Sequence, residues 1–402
     1  MESRGQGLQA HGRGGRRVAA VRLPAGPRLL ELLARALGGS GPAVIPVSPA
    51  LPDAAVDALL GAVRPHELIT EDGTVPLPDG GAAAPDTALI IATSGSTGEP
   101  KAVELSASAL IHSAKATLER IGARPGDRWL CTLPADHIAG AQVLVRSLVA
   151  GTDPVIHERF DVAATPGAGV RHVSLVPTQL RRLLDAGADL SVFGSILLGG
   201  AAAPEPLLAE AAKAGGRVFT TYGMSETCGG CVYDGVPLSG VRLSLTDEGR
   251  IRLGGATLFS GYRLRPDLTA EVRDGSWFLT GDLGAFHADG RLRVRGRVDD
   301  VINTGGEKVV AGEVAAVLAR HPSVAEAVVV GRPDREWGER VTAVVTAADP
   351  ARPPALADLR AWVRGELPSY AAPHELEVLP EIPLLSSGKP DRRALREAGP
   401  RP

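Results

Sequence analysis

Between Thr93 and Lys101 the chain reads TSGSTGEPK, so the hydroxyls of Thr93, Ser94, Ser96 and Thr97 are interleaved with Gly95 and Gly98, and a lysine closes the run. Side-chain and backbone donors crowded into one turn, with an ammonium close behind, form a cradle for phosphate oxygens. It is not a loop of the Walker A kind, which has four residues between its glycines and then Gly-Lys-Ser/Thr; here Gly95 and Gly98 are three positions apart and Pro100 precedes Lys101. Lysine is scarce elsewhere. The chain holds five (Lys101, Lys115, Lys213, Lys308 and Lys389) against 38 arginines, a bias that keeps lysine where a compact ammonium on a flexible stem matters. Cys228 and Cys231 form a CxxC, but no second ligand pair completes a structural zinc site, and three cysteines in all point to free thiols in a reducing compartment.

These residues need elements to hold them. The run ALIIATSG (88–95) is a short β-branched strand that delivers the phosphate loop, and ALIHSAKATLERIG (109–122) has helical spacing, so strand, glycine-rich turn and helix are expected in that order. Upstream, LLELLARAL, AVIPV and AAVDALLGAV alternate helix and strand. Downstream, WLCTLPADHIAGAQVLVRSLVAG, HVSLVPTQLRRLLDAG and SILLGGAAAPEPLLAEAAKAG each read as a strand followed by an amphipathic helix. Such alternation predicts α/β sheets covered by helices. After Tyr222 the text turns β-rich, with hairpins expected at DEGR and ADGR. Beyond Arg297 two helix patterns and two strand patterns make a small α+β unit. The fold class expected is α/β: a loose tail over 1–17, a large N-terminal domain over 18–297, and a small C-terminal domain over 298–402 joined by a hinge.

The composition excludes several function classes. A net charge of -3 and a pI near 6.3 supply no basic field for nucleic acid. No apolar run reaches the length of a membrane span, and the opening MESRGQGLQAHGRGGRR lacks the apolar core of a secretory signal, so a cytoplasmic protein is expected.

The phosphate loop resembles that of the acyl-adenylate-forming superfamily, which holds acyl-CoA synthetases, peptide-synthetase adenylation domains and luciferases. Five further stretches resemble its motifs in the expected order: LLGGAAAP (197–204), TYGMSET (221–227), TGD (280–282), GRVDD (296–300) and SSGKPDRRAL (386–395). The resemblance spans residues 93 to 395 and makes the large domain an adenylation domain. It implies that Thr93, Ser94, Gly95, Ser96, Thr97, Gly98 and Lys101 hold phosphates, and that Gly199, Gly200 and Ala201 border the adenine and acyl pockets. Tyr222 and Gly223 would face the adenine, with the ring available for stacking. Glu226 is a carboxylate beside a triphosphate, which makes sense if Mg²⁺ bridges them. Ser225 and Thr227 add hydroxyls for phosphate or acyl oxygens, and Asp282 and Arg297 take the ribose hydroxyls. Asp299 matches the hinge, Gly305 and Gly306 the loop beside the pantetheine tunnel of CoA, and Lys389 the C-terminal lysine that bridges carboxylate and α-phosphate during adenylation.

The short N-terminus, together with DHIAGAQVLVRSLVAG and TYGMSETCGGCVYDG, resembles the compact o-succinylbenzoate:CoA ligases of menaquinone biosynthesis. That resemblance implies ATP, Mg²⁺ and CoA, a dicarboxylic acid activated at its succinyl end, and no covalent nucleophile on the protein. His137 matches the histidine lining the acyl and thiol tunnel. Arg146 lies in an apolar helix where an unpaired guanidinium is costly, which makes it the candidate for the carboxylate that does not react. Another aryl- or acyl-CoA ligase, or a stand-alone adenylation enzyme loading a carrier protein, carries the same motifs. An oligomer is compatible with the sequence.

Overall fold

In a computed structural model, residues 15–94, 100–384 and 390–398 are described. Two seven-stranded sheets build the large domain. The first has the spatial order 261–262, 100–106, 87–94, 43–46, 18–21, 67–70 and 73–76. Its central strands, VAAV (Val18–Val21) and AVIP (Ala43–Pro46), run parallel and are buried at every position, as uninterrupted apolar strands must be when both faces are covered. The second sheet has the order 236–237, 229–233, 218–224, 195–198, 172–175, 129–131 and 155–156, parallel from 218–224 across to 155–156. Helices Ala107–Ile121 and Ile138–Ala150 pack on each other. The first also rests on strands of the first sheet and the second on strands of the second, so one core cluster joins Leu89 and Leu105 to Trp129 and Phe219.

The strand before the phosphate loop and the helix after it are present, with one addition. A strand, Pro100–Ser106, intervenes and pairs antiparallel with Thr87–Ser94, Thr93 facing Lys101 across the ladder. Pro100 reads as a breaker in sequence, but at the first position of a strand it removes no needed donor. Helix Ala107–Ile121 then starts on Ser106, whose hydroxyl accepts from the Ala109 N–H, and ends at Gly122 in the left-handed region. The boundary of the tail also moves. Arg16 donates from its guanidinium to the carbonyls of Ala36, Gly41 and Thr87 at 2.6 to 2.9 Å, which ties it into the first sheet.

Both expected hairpins form, Val241–Leu245 with Arg250–Gly255 and Trp277–Phe286 with Leu292–Arg297, within a five-stranded sheet. The small domain is another five-stranded sheet, 301–304, 307–310, 324–334, 338–347 and 375–378, with helices Ala311–Leu318 and Leu356–Arg364 and its own core around Val314, Val329, Val341 and Leu359. The two domains meet where Glu313, in the first turn of helix Ala311–Leu318, pairs with Arg295 at 2.7 and 2.8 Å and with Arg293 at 3.3 Å. There the backbone of Gly312 passes so close to Arg295 that an added Cβ would sit 2.4 Å from its carbonyl oxygen. Among the described residues no helix is long and apolar enough to cross a membrane.

Candidate active site

Strand Val218–Met224 and the turn after it feed two polar clusters. In the first, the Tyr222 hydroxyl donates to Asp282 Oδ2 at 2.8 Å, while Asp282 Oδ1 lies 3.7 Å from Arg297 Nη1. Asp282 and Arg297 face each other in the antiparallel ladder of Trp277–Phe286 with Leu292–Arg297, so hairpin register alone brings them together. Arg297 also reaches Asp299 at 3.1 Å. Burial pushes the Tyr222 phenol well up, and the Asp282 charge adds to this. Burial would pull the Arg297 guanidinium down, yet Asp282, Asp299 and Asp300 outweigh it and hold it above its ordinary value. Asp282 thus holds one oxygen on the Tyr222 phenol and turns the other toward Arg297.

The second cluster centres on Glu226 in the 3₁₀ turn Ser225–Thr227. The Tyr262 hydroxyl donates to Glu226 Oε1 at 2.7 Å, and the Lys101 ammonium stands 5.4 Å from the centre of the Tyr262 ring. Burial raises the Tyr262 phenol further above its usual value, helped by Glu226. Sequence reasoning did not single out Tyr262. The available signal was the scarcity that flagged the lysines: there are four tyrosines, and two of them, Tyr222 and Tyr262, sit in these clusters.

Beside the clusters, the second sheet packs its strand ends closely through glycines. A Cβ on Gly199 would meet Thr221 Oγ1 at 2.5 Å, and one on Gly223 would meet the Gly229 carbonyl at 2.1 Å. Gly200 takes φ +83°, and Ala201 beyond it is exposed. His137 is exposed at the N-cap of helix Ile138–Ala150. That helix docks on the Cys228–Gly229 turn through Gln142, which donates to the Cys228 carbonyl at 2.8 Å. One turn further along, Arg146 is 6% exposed, donates to Ser174 Oγ at 3.0 Å and lies 4.4 Å over the Trp129 ring. Burial pulls its pKa down.

Thr227 corrects the sequence reading. It is fully buried, and its hydroxyl accepts from the Met224 N–H at 2.9 Å and donates to the Gly229 carbonyl at 2.7 Å, so it shapes the turn and has no hydroxyl to offer a ligand. Ser225 is buried as well, at 7% exposure. Cys228 and Cys231 are buried free thiols, Cys231 pushed up to about 12 by burial. Gly305 and Gly306 turn the hairpin Val301–Thr304 with Glu307–Val310 in the small domain, at φ +58° and +85°, where Gly305 packs on Trp337. Gly95, Ser96, Thr97, Gly98 and Lys389 lie outside the described residues, as does the Ser94 side chain.

The donor set can be tested against Mg²⁺. Among the described residues no group of three His, Cys, Asp or Glu gathers to cage an ion. A single anchored carboxylate, Glu226, near a phosphate-loop lysine fits Mg²⁺, which takes one or two carboxylates and draws its other ligands from phosphate and water.

The AMP-binding enzyme family matches residues 73–263, and its C-terminal domain matches 313–389. The probable 2-succinylbenzoate–CoA ligase of Mycobacterium tuberculosis is 45% identical over 94% of this chain and 97% of its own length. The 2-succinylbenzoate–CoA ligase of Escherichia coli is 33% identical over 89% of this chain and 82% of its own. Among solved structures, the o-succinylbenzoate CoA synthetase of Bacillus subtilis in complex with the acyl-adenylate intermediate superposes with a TM-score of 0.81 at 28% identity, covering 97% of this chain and 90% of that one. The same enzyme with ATP and magnesium ion gives 0.81 at 27%, covering 96% and 91%. The paired clusters stand on the fold of enzymes that adenylate acids, and the chain belongs to the AMP-binding, acyl-adenylate-forming family.

Proposed function

We propose that the protein is an ATP-dependent acid–thiol ligase that activates 2-succinylbenzoate as its acyl-adenylate and transfers the acyl group to CoA, in the cytoplasm, as a step of menaquinone biosynthesis. In the first half-reaction a succinyl carboxylate oxygen attacks the α-phosphorus and the bond to pyrophosphate breaks. In the second, the CoA thiolate attacks the acyl carbon and AMP leaves. Asp282 and Arg297 orient the ribose, and the phosphate loop with Lys101 holds the phosphates. Glu226 would hold Mg²⁺, which when bound offsets phosphate charge. Lys389 neutralises charge developing on the α-phosphate, an effect exerted mainly in the transition state. Alignment and charge stabilisation carry the rate, with no covalent enzyme intermediate.

One observation carries the choice of acid. Among the described residues three arginines are buried: Arg263 pairs with Glu104, and Arg332 with Glu375 and Glu377, as buried guanidiniums should. Arg146 has a serine hydroxyl, an aromatic face and, among the described residues, no carboxylate; its Nε has no partner. A ligand carboxylate supplies what is missing, and 2-succinylbenzoate, the acid in the relatives' names, has one to spare. The three buried free thiols suit a reducing compartment. The test is to supply ATP, Mg²⁺ and either CoA or a carrier protein with 2-succinylbenzoate, benzoate or a fatty acid, reading pyrophosphate release and thioester mass. Preference for 2-succinylbenzoate with CoA is expected. Equal turnover of a fatty acid overturns the substrate, and acylation of the carrier protein in place of CoA overturns the acceptor.

A further inference from the structure

We propose that Tyr262 is a positioning residue, which aims the Glu226 carboxylate at the divalent metal of the bound nucleotide and seats the Lys101 ammonium beside it. This rests on the reading of Glu226 as the metal carboxylate.

Three independent restraints fix Tyr262. Its backbone pairs with Val103 on the edge of the first sheet, its N–H donates to Thr269 Oγ1 at 2.8 Å, and its ring packs tilted on Phe259 with centroids 5.1 Å apart. Phe259 in turn donates its N–H to the Glu226 carbonyl at 2.8 Å. Glu226 is therefore held to the same two-residue frame at both ends, by its backbone through Phe259 and by its carboxylate through the Tyr262 hydroxyl at 2.7 Å. The third member follows from strand periodicity. Lys101 lies two residues before Val103, so both project from one face of the strand Pro100–Ser106, and this puts the ammonium over the ring of the residue paired with Val103.

A glutamate side chain otherwise samples many rotamers, at a cost in entropy each time one is selected. Beside Lys101 it has a competing choice, the direct ion pair, which would withdraw it from a metal. The phenol removes both difficulties. It occupies one carboxylate oxygen with a hydrogen bond to an ionised acceptor and leaves the other for the ion, while its ring gives the ammonium a neutral seat. One side chain thus keeps cation and anion apart and ready for the phosphates.

The test uses the full-length protein, Mn²⁺ as a spectroscopic substitute for Mg²⁺, and a non-hydrolysable ATP analogue. Tyr262→Phe keeps the ring and removes the hydroxyl. It should weaken Mn²⁺ binding to the protein–analogue complex, read by electron paramagnetic resonance, by about tenfold, the loss of one charge-assisted hydrogen bond. Binding of the analogue without metal should be unchanged. Tyr262→Phe added to Glu226→Gln should cause no further loss of Mn²⁺ affinity. Wild-type Mn²⁺ affinity in Tyr262→Phe overturns the proposal, as does an equal loss of metal-free nucleotide binding, which would make the tyrosine merely structural. Unaltered Mn²⁺ affinity in Glu226→Gln overturns the metal reading beneath it, a result that Tyr262→Phe alone cannot produce.

Discussion

Arg146 and His172 both pack against Trp129, and each yields a measurement. Replacing Arg146 by Ala should raise KM for 2-succinylbenzoate about tenfold to a hundredfold, the range for losing a charge-assisted bond. Turnover of a monocarboxylate analogue should barely change; an identical loss on both acids would mean that the guanidinium serves only to pack Trp129. Arg146→Lys should rescue little, since an ammonium cannot reproduce the planar contact with the indole. His172, its ring tilted against Trp129 with centroids 4.9 Å apart, bonds Ser195 through Nδ1 at 2.8 Å and lies 3.4 Å from Asp127. Burial lowers its pKa, with Asp127 only partly opposing this. The folded state therefore binds fewer protons than the unfolded one as the pH falls past the ordinary imidazole value near 6.5, so stability is complete above that pH and declines below it. His66 and His374 shift in the same direction. Denaturant titrations of His172→Gln between about pH 7 and pH 5 should show a shallower loss than wild type; an unchanged slope would exclude His172 as a contributor.

Among the elements, much of the scaffold is legible in the sequence. Three strand–helix pairs fall where SILL, HVSL and WLC precede amphipathic runs, and both glycine-marked hairpins close at DEGR and ADGR. The strand Pro100–Ser106 is illegible because its proline reads as a breaker and AVEL is too short to show a strand period, and with it goes the pairing that puts Lys101 over Tyr262. Tyr262 was missed for a related reason: its role arises from an edge pairing with residues some 160 positions earlier, and local text encodes no such contact. Thr227 misled in the opposite way, since a hydroxyl in a ligand-facing motif looks the same in sequence whether it meets the ligand or the backbone. The hairpin at Gly305 and Gly306 carries a prediction of its own. A Cβ on Gly306 would meet nothing, so a side chain there projects freely, though φ +85° adds about 1 to 2 kcal/mol of strain. Gly306→Trp should spare acyl-adenylate formation and block thioester formation, because the indole would stand in the proposed pantetheine path; loss of both half-reactions would refute that assignment.

For the whole molecule, the question is how the small domain is held. The bidentate Glu313–Arg295 pair and the close pass of Gly312 along Arg295 join the two bodies just before Asp299, the proposed hinge. Glu313→Gln should loosen this arrangement and change the ratio of the two half-reaction rates while leaving nucleotide affinity nearly unchanged. If both rates fall in proportion, the pair contributes only to stability. Lys389→Ala supplies the complement. Acyl-adenylate formation should drop by several orders of magnitude, as for a group acting mostly in the transition state, while thioester formation from preformed acyl-adenylate survives. An equal loss in both halves would mean that the lysine holds the domain rather than the phosphate.

The glycine-walled side of the site bears on how such an enzyme can acquire new acids. At Gly199 and Gly223 the nearest neighbours stand within the volume of a single methyl group, a threonine hydroxyl in one case and a main-chain carbonyl in the other. Evolution, natural or directed, has no small first step available there, because even alanine displaces the Thr221 hydroxyl or the Gly229 main chain. Helix Ile138–Ala150 carries Arg146 on the proposed acid side, but Gly140 to Ser147 are buried and Gln142 holds the Cys228 turn, so exchange there is confined to positions that leave Gly140 and Gln142 in place. A library built to broaden the acids accepted should be spent on that helix, and variants that change the acid while keeping ATP use intact should map there.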